Sequence, residues 1–224
     1  MEIILNSKFF AELPPAQLGT KVKSLGHDGL DLCVRLGHPV HPGNVIGYFR
    51  FAEGDDDWKT LDRARRDLEK FGFHSEKHGV KCCYYTHCGL CIGSNCAGLM
   101  HLIQGFDPAH VGAYPDFGHM ALEGEDIAMG LAMLRDHLCV VGIKDGLQAN
   151  APGEAPPYQP KFAKLGEGSV QWLDALRVLR DRHFSGPFSV QTEYGMNAGE
   201  PALERIACED AAYLRQLAAS QGAD

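Results

Sequence analysis

VGAYPDFGHMALEG, at residues 111–124, joins a short apolar run to a carboxylate, Asp116, and to a histidine, His119, three residues later. The apolar run predicts a buried strand, and the two polar residues come directly after its end. Asp116 in this position either caps the helix that follows or contributes to a site for a cation or a polyol. The second interpretation requires that the rest of the chain bring other polar groups to the same place.

The composition predicts one globular domain over residues 1–224. Of the 224 residues, 45% are hydrophobic and 22% are charged, which suits a chain that buries a large core. The 29 acidic and 21 basic residues give a net charge of -8, and no Lys/Arg cluster stands out. This balance argues against a nucleic-acid partner.

The first 15 residues carry no basic leader and no long apolar core. We therefore expect neither a signal peptide nor a membrane span, and we expect a cytoplasmic protein. Disulfides are typical of secreted proteins, so the eight cysteines are expected to be reduced thiols.

Apolar runs that predict strands alternate with runs of helical spacing. The predicted strands are residues 2–6, 29–35, 45–51, 80–86, 111–116, 139–144 and 188–193, and the main predicted helices are 14–25, 58–71, 97–104, 126–137, 170–182 and 201–219. This alternation predicts an α/β fold with a parallel sheet, and polar groups at the strand ends favour a (β/α)8 TIM-barrel type. An open dinucleotide-binding sheet is disfavoured because no GxGxxG follows the first strand.

One part of the expected barrel is missing. Only about ten residues separate Arg35 from Ile46, whereas a crossover between parallel strands takes a dozen or more. We therefore predict an incomplete barrel that lacks about one helix-strand-helix unit after the second strand, unless the strand at 45–51 pairs in an unusual way. Open sheet edges of such a barrel favour a homo-oligomer that covers them.

Polar side chains follow most of the predicted strands, and in a barrel they would meet at the carboxyl-terminal rim, where barrel enzymes have their active sites. They are Asp31, Arg35, Arg50, Tyr85, His87, Asp116, His119, Lys144, Asp145, Gln191 and Glu193. Carboxylates and imidazoles together suit a divalent ion such as Mg²⁺, Mn²⁺ or Zn²⁺. Such an ion polarises a carbonyl while a carboxylate moves the proton at the next carbon, which is the chemistry of sugar isomerisation and epimerisation.

The cysteine-rich segment at 82–96 allows a different site. His87, Cys88, Cys91 and Cys96 supply four N/S ligands of the kind that zinc binds. All four crowd into ten residues without the usual two-knuckle spacing. The alternative is that these cysteines are small apolar packing residues.

Five segments occur in order along the chain: GHDGLDLCVR at 26–35, VGAYPDFGH at 111–119, VVGIKD at 140–145, KLGEGSVQW at 164–172 and GPFSVQTEYG at 186–195. Together they resemble the sugar phosphate isomerase/epimerase superfamily, the xylose isomerase-like TIM barrels. The resemblance covers almost the whole chain apart from the gap after Arg35. It implies a metal-dependent isomerase or epimerase that acts on a small sugar or related polyhydroxy compound by proton transfer next to a carbonyl.

The resemblance also implies a ligand set. Members of this family bind their metal ion through a Glu on the fifth strand, an Asp on the sixth, a His on the seventh and a Glu on the eighth. The Asp corresponds to Asp116, and the eighth-strand Glu corresponds to Glu193, which is also an acid/base carboxylate in the family. Tyr85 takes the place of the fifth-strand Glu, and Gly142 takes the place of the seventh-strand His. Either histidines nearby complete a shifted site, or the metal is weakly bound or absent.

Two hypotheses follow. The first is a sugar isomerase or epimerase with a degenerate divalent metal site. Its predicted metal ligands are Asp116, Glu193 and His87, and its predicted catalytic residues are Glu193 and Lys144. Its predicted substrate-binding residues are His119, Arg35, Asp145 and Gln191. The second is a catalytically degenerate barrel that binds a carbohydrate or a protein partner, which the two replaced ligands favour. A third family branch, of the endonuclease IV type, needs a basic groove, and the net charge argues against it.

Overall fold

In the computed structural model, which describes residues 1–10, 12–32, 49–191, 193–196 and 199–221, parallel strands alternate with helices. The strands are β1 (Ile3–Asn6), β2 (Gly29–Asp31), β3 (Cys82–Tyr85), β4 (Val111–Tyr114), β5 (Val141–Ile143), β6 (Asp145–Asn150), β7 (Tyr158–Ala163) and β8 (Phe188–Val190). The helices are α1 (Pro15–Ser24), α2 (Asp57–His78), α3 (Cys96–Ile103), α4 (Phe117–Leu122), α5 (Ile127–Leu134), α6 (Trp172–Asp181) and α7 (Glu200–Gln221), with 3-10 turns at Ser7–Phe10, Arg135–His137 and Glu193–Gly195.

The parallel strands follow the order of an opened barrel. β1 pairs with β2 on one side and with β8 on the other, and β8 pairs in turn with β5. β3 pairs with β4, and parallel bridges from Ala113 to Leu138 and from Asp116 to Gly142 place β4 beside β5. The order is thus β2, β1, β8, β5, β4, β3, and within the described residues no strand joins β2 to β3. The α/β class and an incomplete barrel of the (β/α)8 type are confirmed.

Two predictions concern residues outside the described ranges. Arg35 lies there, as does most of the interval in which a helix-strand-helix unit was predicted to be missing. Of the strand predicted at 45–51, only residues 49–51 are described, and Arg50 forms a single antiparallel bridge to Cys91.

The core lies between the strands and the surrounding helices. Every residue of β5 and of β8 is buried, as expected for central parallel strands that are covered on both faces. In β1, Ile3 and Leu5 are fully buried, and helices α3, α5 and α6 contribute Leu99, Leu131 and Ala175 to the same core. This packing aligns the carboxyl ends of the strands along one rim.

Helix α2 is longer than predicted. The predicted helix ends at residue 71, before Gly72, whereas α2 runs to His78 and is capped by Gly79, which adopts a left-handed conformation with φ of 63°. A Cβ atom at Gly72 would lie 3.2 Å from Val111 Cγ2. Gly72 therefore lets α2 approach β4 closely and does not stop the helix.

The segment after Asp145, in which the sequence predicts no strand, contains an antiparallel hairpin. β6 pairs with β7 from Asp145 and Ala163 at the base to Asn150 and Tyr158 at the tip. Most of its residues are polar or exposed, so the hairpin carries no clear apolar alternation that a sequence pattern could show. It lies against α4, where Gln148 Nε2 donates to the Leu122 carbonyl over 3.1 Å.

Two further features bear on the expectations above. The sulfur atoms of Cys83 and Cys139 lie against each other between β3 and the start of β5, with the two Cα atoms 7.1 Å apart, which is wider than a disulfide usually spans. The expectation that the cysteines are reduced stays a prediction. None of the helices in the described ranges combines the length and hydrophobicity that a membrane crossing requires.

Candidate active site

Polar side chains from the carboxyl ends of five strands meet at the rim of the barrel. We call this set the rim cluster; its members are Lys8, Tyr85, Asp116, His119, Lys144, Gln191 and Glu193. Lys8 follows β1 and Tyr85 is the last residue of β3. Asp116 and His119 follow β4, Lys144 follows β5, and Gln191 and Glu193 follow β8. The structure therefore brings together all of these side chains that the sequence placed at strand ends, and it adds Lys8.

Lys144 lies at the centre of the rim cluster. Its Nζ atom is 2.9 Å from His119 Nε2, 3.1 Å from Glu193 Oε2 and 3.6 Å from Asp116 Oδ2. The side chain is only 3% exposed. A buried ammonium group requires such partners, because an unpaired charge away from water is costly.

Glu193 lies between two ammonium groups. Its Oε2 atom contacts Lys144, and its Oε1 atom accepts a hydrogen bond from Lys8 Nζ. Burial acts to raise the pKa of Glu193, but the two lysines outweigh it and lower the pKa to about 2. Glu193 is thus an ionised carboxylate, and at 18% exposure it is the acidic member of the rim cluster that reaches solvent.

Asp116 both caps a helix and belongs to the site. Its Oδ1 atom accepts a hydrogen bond from the His119 backbone N–H over 3.0 Å, which caps α4. Its Oδ2 atom accepts a hydrogen bond of 2.5 Å from Tyr85 OH. Burial and the nearby Asp116 carboxylate raise the pKa of Tyr85 well above its ordinary value, so the phenol keeps its proton and acts as a donor.

Gly142 lies directly against Asp116. The two residues form a parallel bridge, and a Cβ atom at position 142 would collide with the Asp116 carboxylate. The space that a side chain at 142 would need is therefore occupied by Asp116.

A second group, which we call the outer set, consists of His87, Cys88 and His119. Their candidate ligand atoms all lie within 4.8 Å of one another, and His119 Nδ1 is 3.1 Å from Cys88 Sγ. Burial lowers the pKa of His119 to about 3 and also lowers that of His87, so both imidazoles are neutral. Two imidazoles and a thiol suit zinc better than magnesium.

The outer set differs from the zinc ligands proposed from sequence. His87 and Cys88 are shared, and Cys91 Sγ lies 3.7 Å from His87 Nδ1. Cys96 instead begins helix α3, where its backbone N–H donates to the Glu125 carboxylate. His119 comes from a segment 31 residues beyond Cys88, which spacing within the cysteine-rich segment could not reveal.

Asp145 lies outside the rim cluster. Its carboxylate is fully buried and accepts hydrogen bonds from the backbone N–H groups of Gly146, Gly166 and Val170 and from the Trp172 indole, over 2.8 to 3.1 Å. These bonds tie the loop at 164–172 to the end of β5. The placement supports a structural role and lends no support to the predicted contact with substrate.

Gln191 joins the rim cluster as predicted from its strand-end position. Its Oε1 atom accepts from Lys8 Nζ at 3.0 Å and from Tyr85 OH at 3.3 Å, while its Nε2 atom donates to Tyr114 OH over 3.2 Å. Gln191 thereby connects the ends of β1, β3, β4 and β8.

Lys8 was missed by the sequence analysis. It follows β1 by two residues and is 9% exposed, with Nζ directed at Glu193. The sequence carried the signal, because Lys8 comes two residues after the first predicted strand, and polar residues after a barrel strand point to the rim.

Comparisons with known proteins agree with this architecture. The family model described as xylose isomerase-like TIM barrel matches residues 9–217. Inosose dehydratase from Lacticaseibacillus casei is 24% identical over 147 residues, which are 62% of this chain and 48% of that protein, so the chain spans about half the length of the curated relatives it matches.

Two solved structures show the same fold. The structure of 3-keto-D-glucoside 4-epimerase from E. coli superposes with a TM-score of 0.71 at 17% sequence identity, and the match includes 96% of this chain and 99% of the epimerase chain. The structure of L-ribulose 3-epimerase has a TM-score of 0.71 at 11% sequence identity, and the match includes 99% of this chain and 97% of that epimerase chain. With the family model matching most of its length, the chain belongs to the xylose isomerase-like TIM barrel family.

Proposed function

We propose that the protein is an isomerase or epimerase that moves a proton next to the carbonyl of a small sugar or related polyhydroxy compound. The observation that carries the proposal is the position of Glu193, a partly exposed carboxylate held between Lys8 and Lys144 at the end of β8. Family membership supports the assignment, as do the names of the related inosose dehydratase and sugar epimerases.

Glu193 is the proposed base. It would take the proton from the carbon next to the carbonyl, so that the C–H bond breaks, an O–H bond forms on Glu193 and the electron pair moves to the carbonyl oxygen. The oxygen then carries negative charge, which the ammonium groups of Lys144 and Lys8 would stabilise. To complete epimerisation, Glu193 would return the proton to the opposite face of the same carbon after the enediolate turns over in the site. To complete isomerisation, Glu193 would return the proton to the former carbonyl carbon while the proton of the adjacent hydroxyl moves to the first oxygen.

The pKa of Glu193 is low while no substrate is bound, because both lysines then contact its carboxylate. A substrate oxygen that accepts a hydrogen bond from Lys144 would take that contact from Glu193, and with it part of the electrostatic effect that lowers its pKa. Glu193 would thereby become a stronger base as the substrate binds. His119 and Gln191 would contact the hydroxyl groups of the substrate.

The metal ligands predicted from sequence do not fit a divalent ion well. Asp116 Oδ2 accepts from Tyr85, both Glu193 oxygens contact lysines, and Lys144 lies between the two carboxylates. We therefore derive no catalytic step from a metal at that position. The outer set fits zinc better, and zinc bound there would supply a Lewis acid for a substrate oxygen.

The test is deuterium exchange from D₂O into the carbon next to the carbonyl, followed by NMR on a panel of aldoses, ketoses and keto-inositols. Glu193→Gln should abolish exchange while the circular dichroism spectrum stays unchanged. Glu154→Gln, in the exposed tip of the hairpin, is the matched control and should exchange like the original protein. Undiminished exchange in Glu193→Gln would refute the assignment.

A second candidate is a catalytically degenerate barrel that binds a carbohydrate or a protein partner. Tyr85 and Gly142, at positions where the family carries metal ligands, favour it. Saturable binding of a sugar without any deuterium exchange would support this candidate over the first.

The predicted homo-oligomer also remains a proposal. In the described part of the chain, β2 and β3 lie at the two ends of the strand order, and neither pairs with a further strand on its outer side. A second copy that covers these edges would double the molar mass measured by light scattering, and a monomeric mass would exclude it.

A further inference from the structure

We infer that the Lys144 ammonium group takes the place of a divalent cation at the centre of the rim cluster, so that the inner site is built to work without a metal ion. The inference rests on the proposed function only in identifying the rim cluster as the site of the reaction. It is carried by the position of Nζ, by the charges around it and by two neighbouring residues.

The Lys144 Nζ atom lies where a single cation would be shared by several electron-pair donors. It contacts two carboxylates and one imidazole, contributed by Asp116, Glu193 and His119, which follow two different strands. Metal ions bind such donors at about 2.0 to 2.6 Å, whereas hydrogen bonds from nitrogen span about 2.7 to 3.2 Å. The distances of 2.9 Å to His119 Nε2 and 3.1 Å to Glu193 Oε2 match hydrogen bonds from an ammonium group, and Asp116 Oδ2 lies at ion-pair distance, 3.6 Å. The Lys144 ammonium group therefore fills the space between the groups that a metal ion there would need as ligands.

The charges of the rim cluster balance without a metal ion. Lys8 and Lys144 each carry one positive charge, and Asp116 and Glu193 each carry one negative charge. These groups are 0 to 18% exposed, so an excess charge among them would be poorly solvated. A divalent ion added to these four side chains would leave two uncompensated positive charges, whereas removal of Lys144 would leave one negative charge.

Tyr85 and Gly142 support the lysine. Tyr85 donates its hydroxyl to Asp116 Oδ2, and the Lys144 Nζ atom lies 5.6 Å from the centre of the Tyr85 ring. The Phe162 ring, from the hairpin, lies 5.0 Å from the same atom, so two aromatic rings attract the ammonium group. Because Gly142 has no side chain, the Asp116 carboxylate can occupy the space beside Lys144.

The test is Mn²⁺ binding, measured by calorimetry and by electron paramagnetic resonance, in a Cys88→Ser background that removes the thiol of the outer set. With Lys144 present, and equally with Lys144→Arg, we expect no Mn²⁺ binding that depends on Glu193. Lys144→Ala should bind Mn²⁺ at least tenfold more tightly, and adding Glu193→Gln to it should remove the gain.

Two results would overturn the inference. One is Mn²⁺ binding by the protein with Lys144 in place that Glu193→Gln abolishes. The other is a folded Lys144→Ala variant that binds Mn²⁺ no better than its parent. If Lys144→Ala does not fold, Lys144→Gln, which keeps much of the side-chain volume and a hydrogen-bond donor, takes its place. The readout requires no substrate, so its result is independent of whether the proposed reaction occurs.

Discussion

The carboxylate of Asp116 lies against the backbone of Gly142, so that a Cβ atom at position 142 would collide with it. The same two residues form the parallel bridge that places β4 beside β5. A residue without a side chain on one strand thus determines where a site carboxylate of the next strand can lie. The absence of a side chain at position 142 and the position of the Asp116 carboxylate are therefore one structural feature.

Gly142→Ala should therefore destabilise the protein by about 1 to 3 kcal/mol, because the added methyl group displaces the buried Asp116 carboxylate. The free energy of unfolding in urea measures the effect. Gly19→Ala is the matched control: a Cβ atom there meets nothing within 4 Å, and alanine favours the helix α1. Equal stability of Gly142→Ala and the original protein would contradict the close packing described here.

Asp145→Ala should destabilise the protein by about 3 kcal/mol or more, since it leaves several buried donors without their acceptor. Thermal unfolding measures this loss, and limited proteolysis should cut the loop at 164–172 more rapidly. Asp174→Ala, which removes an exposed ion pair with Arg177, should change stability by no more than about 0.5 kcal/mol. A fully stable Asp145→Ala variant that has lost substrate binding would restore the role predicted from sequence.

Asp210 should make stability depend on pH. Burial raises its pKa from the ordinary 3.8 to about 7, and Tyr194 OH donates to one of its oxygens over 2.9 Å. The folded state then holds the proton more tightly than the unfolded state, so stability should fall as pH rises from about 4 to about 7 and change no further above that range. Neutral Asp210→Asn lacks this dependence.

Urea unfolding at about pH 4 and about pH 8 tests the expectation for Asp210. Between about pH 4 and about pH 8, the stability of Asp210→Asn should rise relative to that of the original protein by on the order of 4 kcal/mol, because the pKa difference of about three units corresponds to about 1.4 kcal/mol for each unit. Asp107→Asn, an exposed carboxylate, is the control for general charge effects. A parallel pH dependence of the original protein and Asp210→Asn would show that Asp210 does not titrate as described.

Zinc should bind to the outer set. Protein stripped of metal and reloaded with zinc should retain it, and Cys88→Ser should lower the zinc content because it removes the only thiol among the three ligands. Cys208→Ser alters an exposed cysteine of α7 and should leave the zinc content unchanged. Zinc content that does not respond to Cys88→Ser would rule out the site.

The alternation of strands and helices could be predicted from local patterns, and so could the convergence of Asp116, Lys144, Gln191 and Glu193 at one rim. Both follow from a simple rule: parallel strands covered by helices direct their carboxyl ends to the same side. The hairpin β6–β7 could not be predicted, because its residues show no apolar alternation and the contacts that hold it come from distant segments, such as the bond from Gln148 to Leu122.

By itself, the sequence determined which residues stand at the strand ends, and its resemblance to the family implied that Tyr85 and Gly142 stand in place of two ligands. Only the tertiary structure decided what those replacements do. Lys8 meets Glu193 across 185 residues, and Lys144 meets His119 and Asp116 from another strand. Such contacts depend on strand register and on the space left by Gly142. Neither of these can be predicted from a local sequence pattern. The physical reason is that a buried charge is stable only beside an oppositely charged or hydrogen-bonding group. Groups that are distant in sequence become neighbours only in the folded chain.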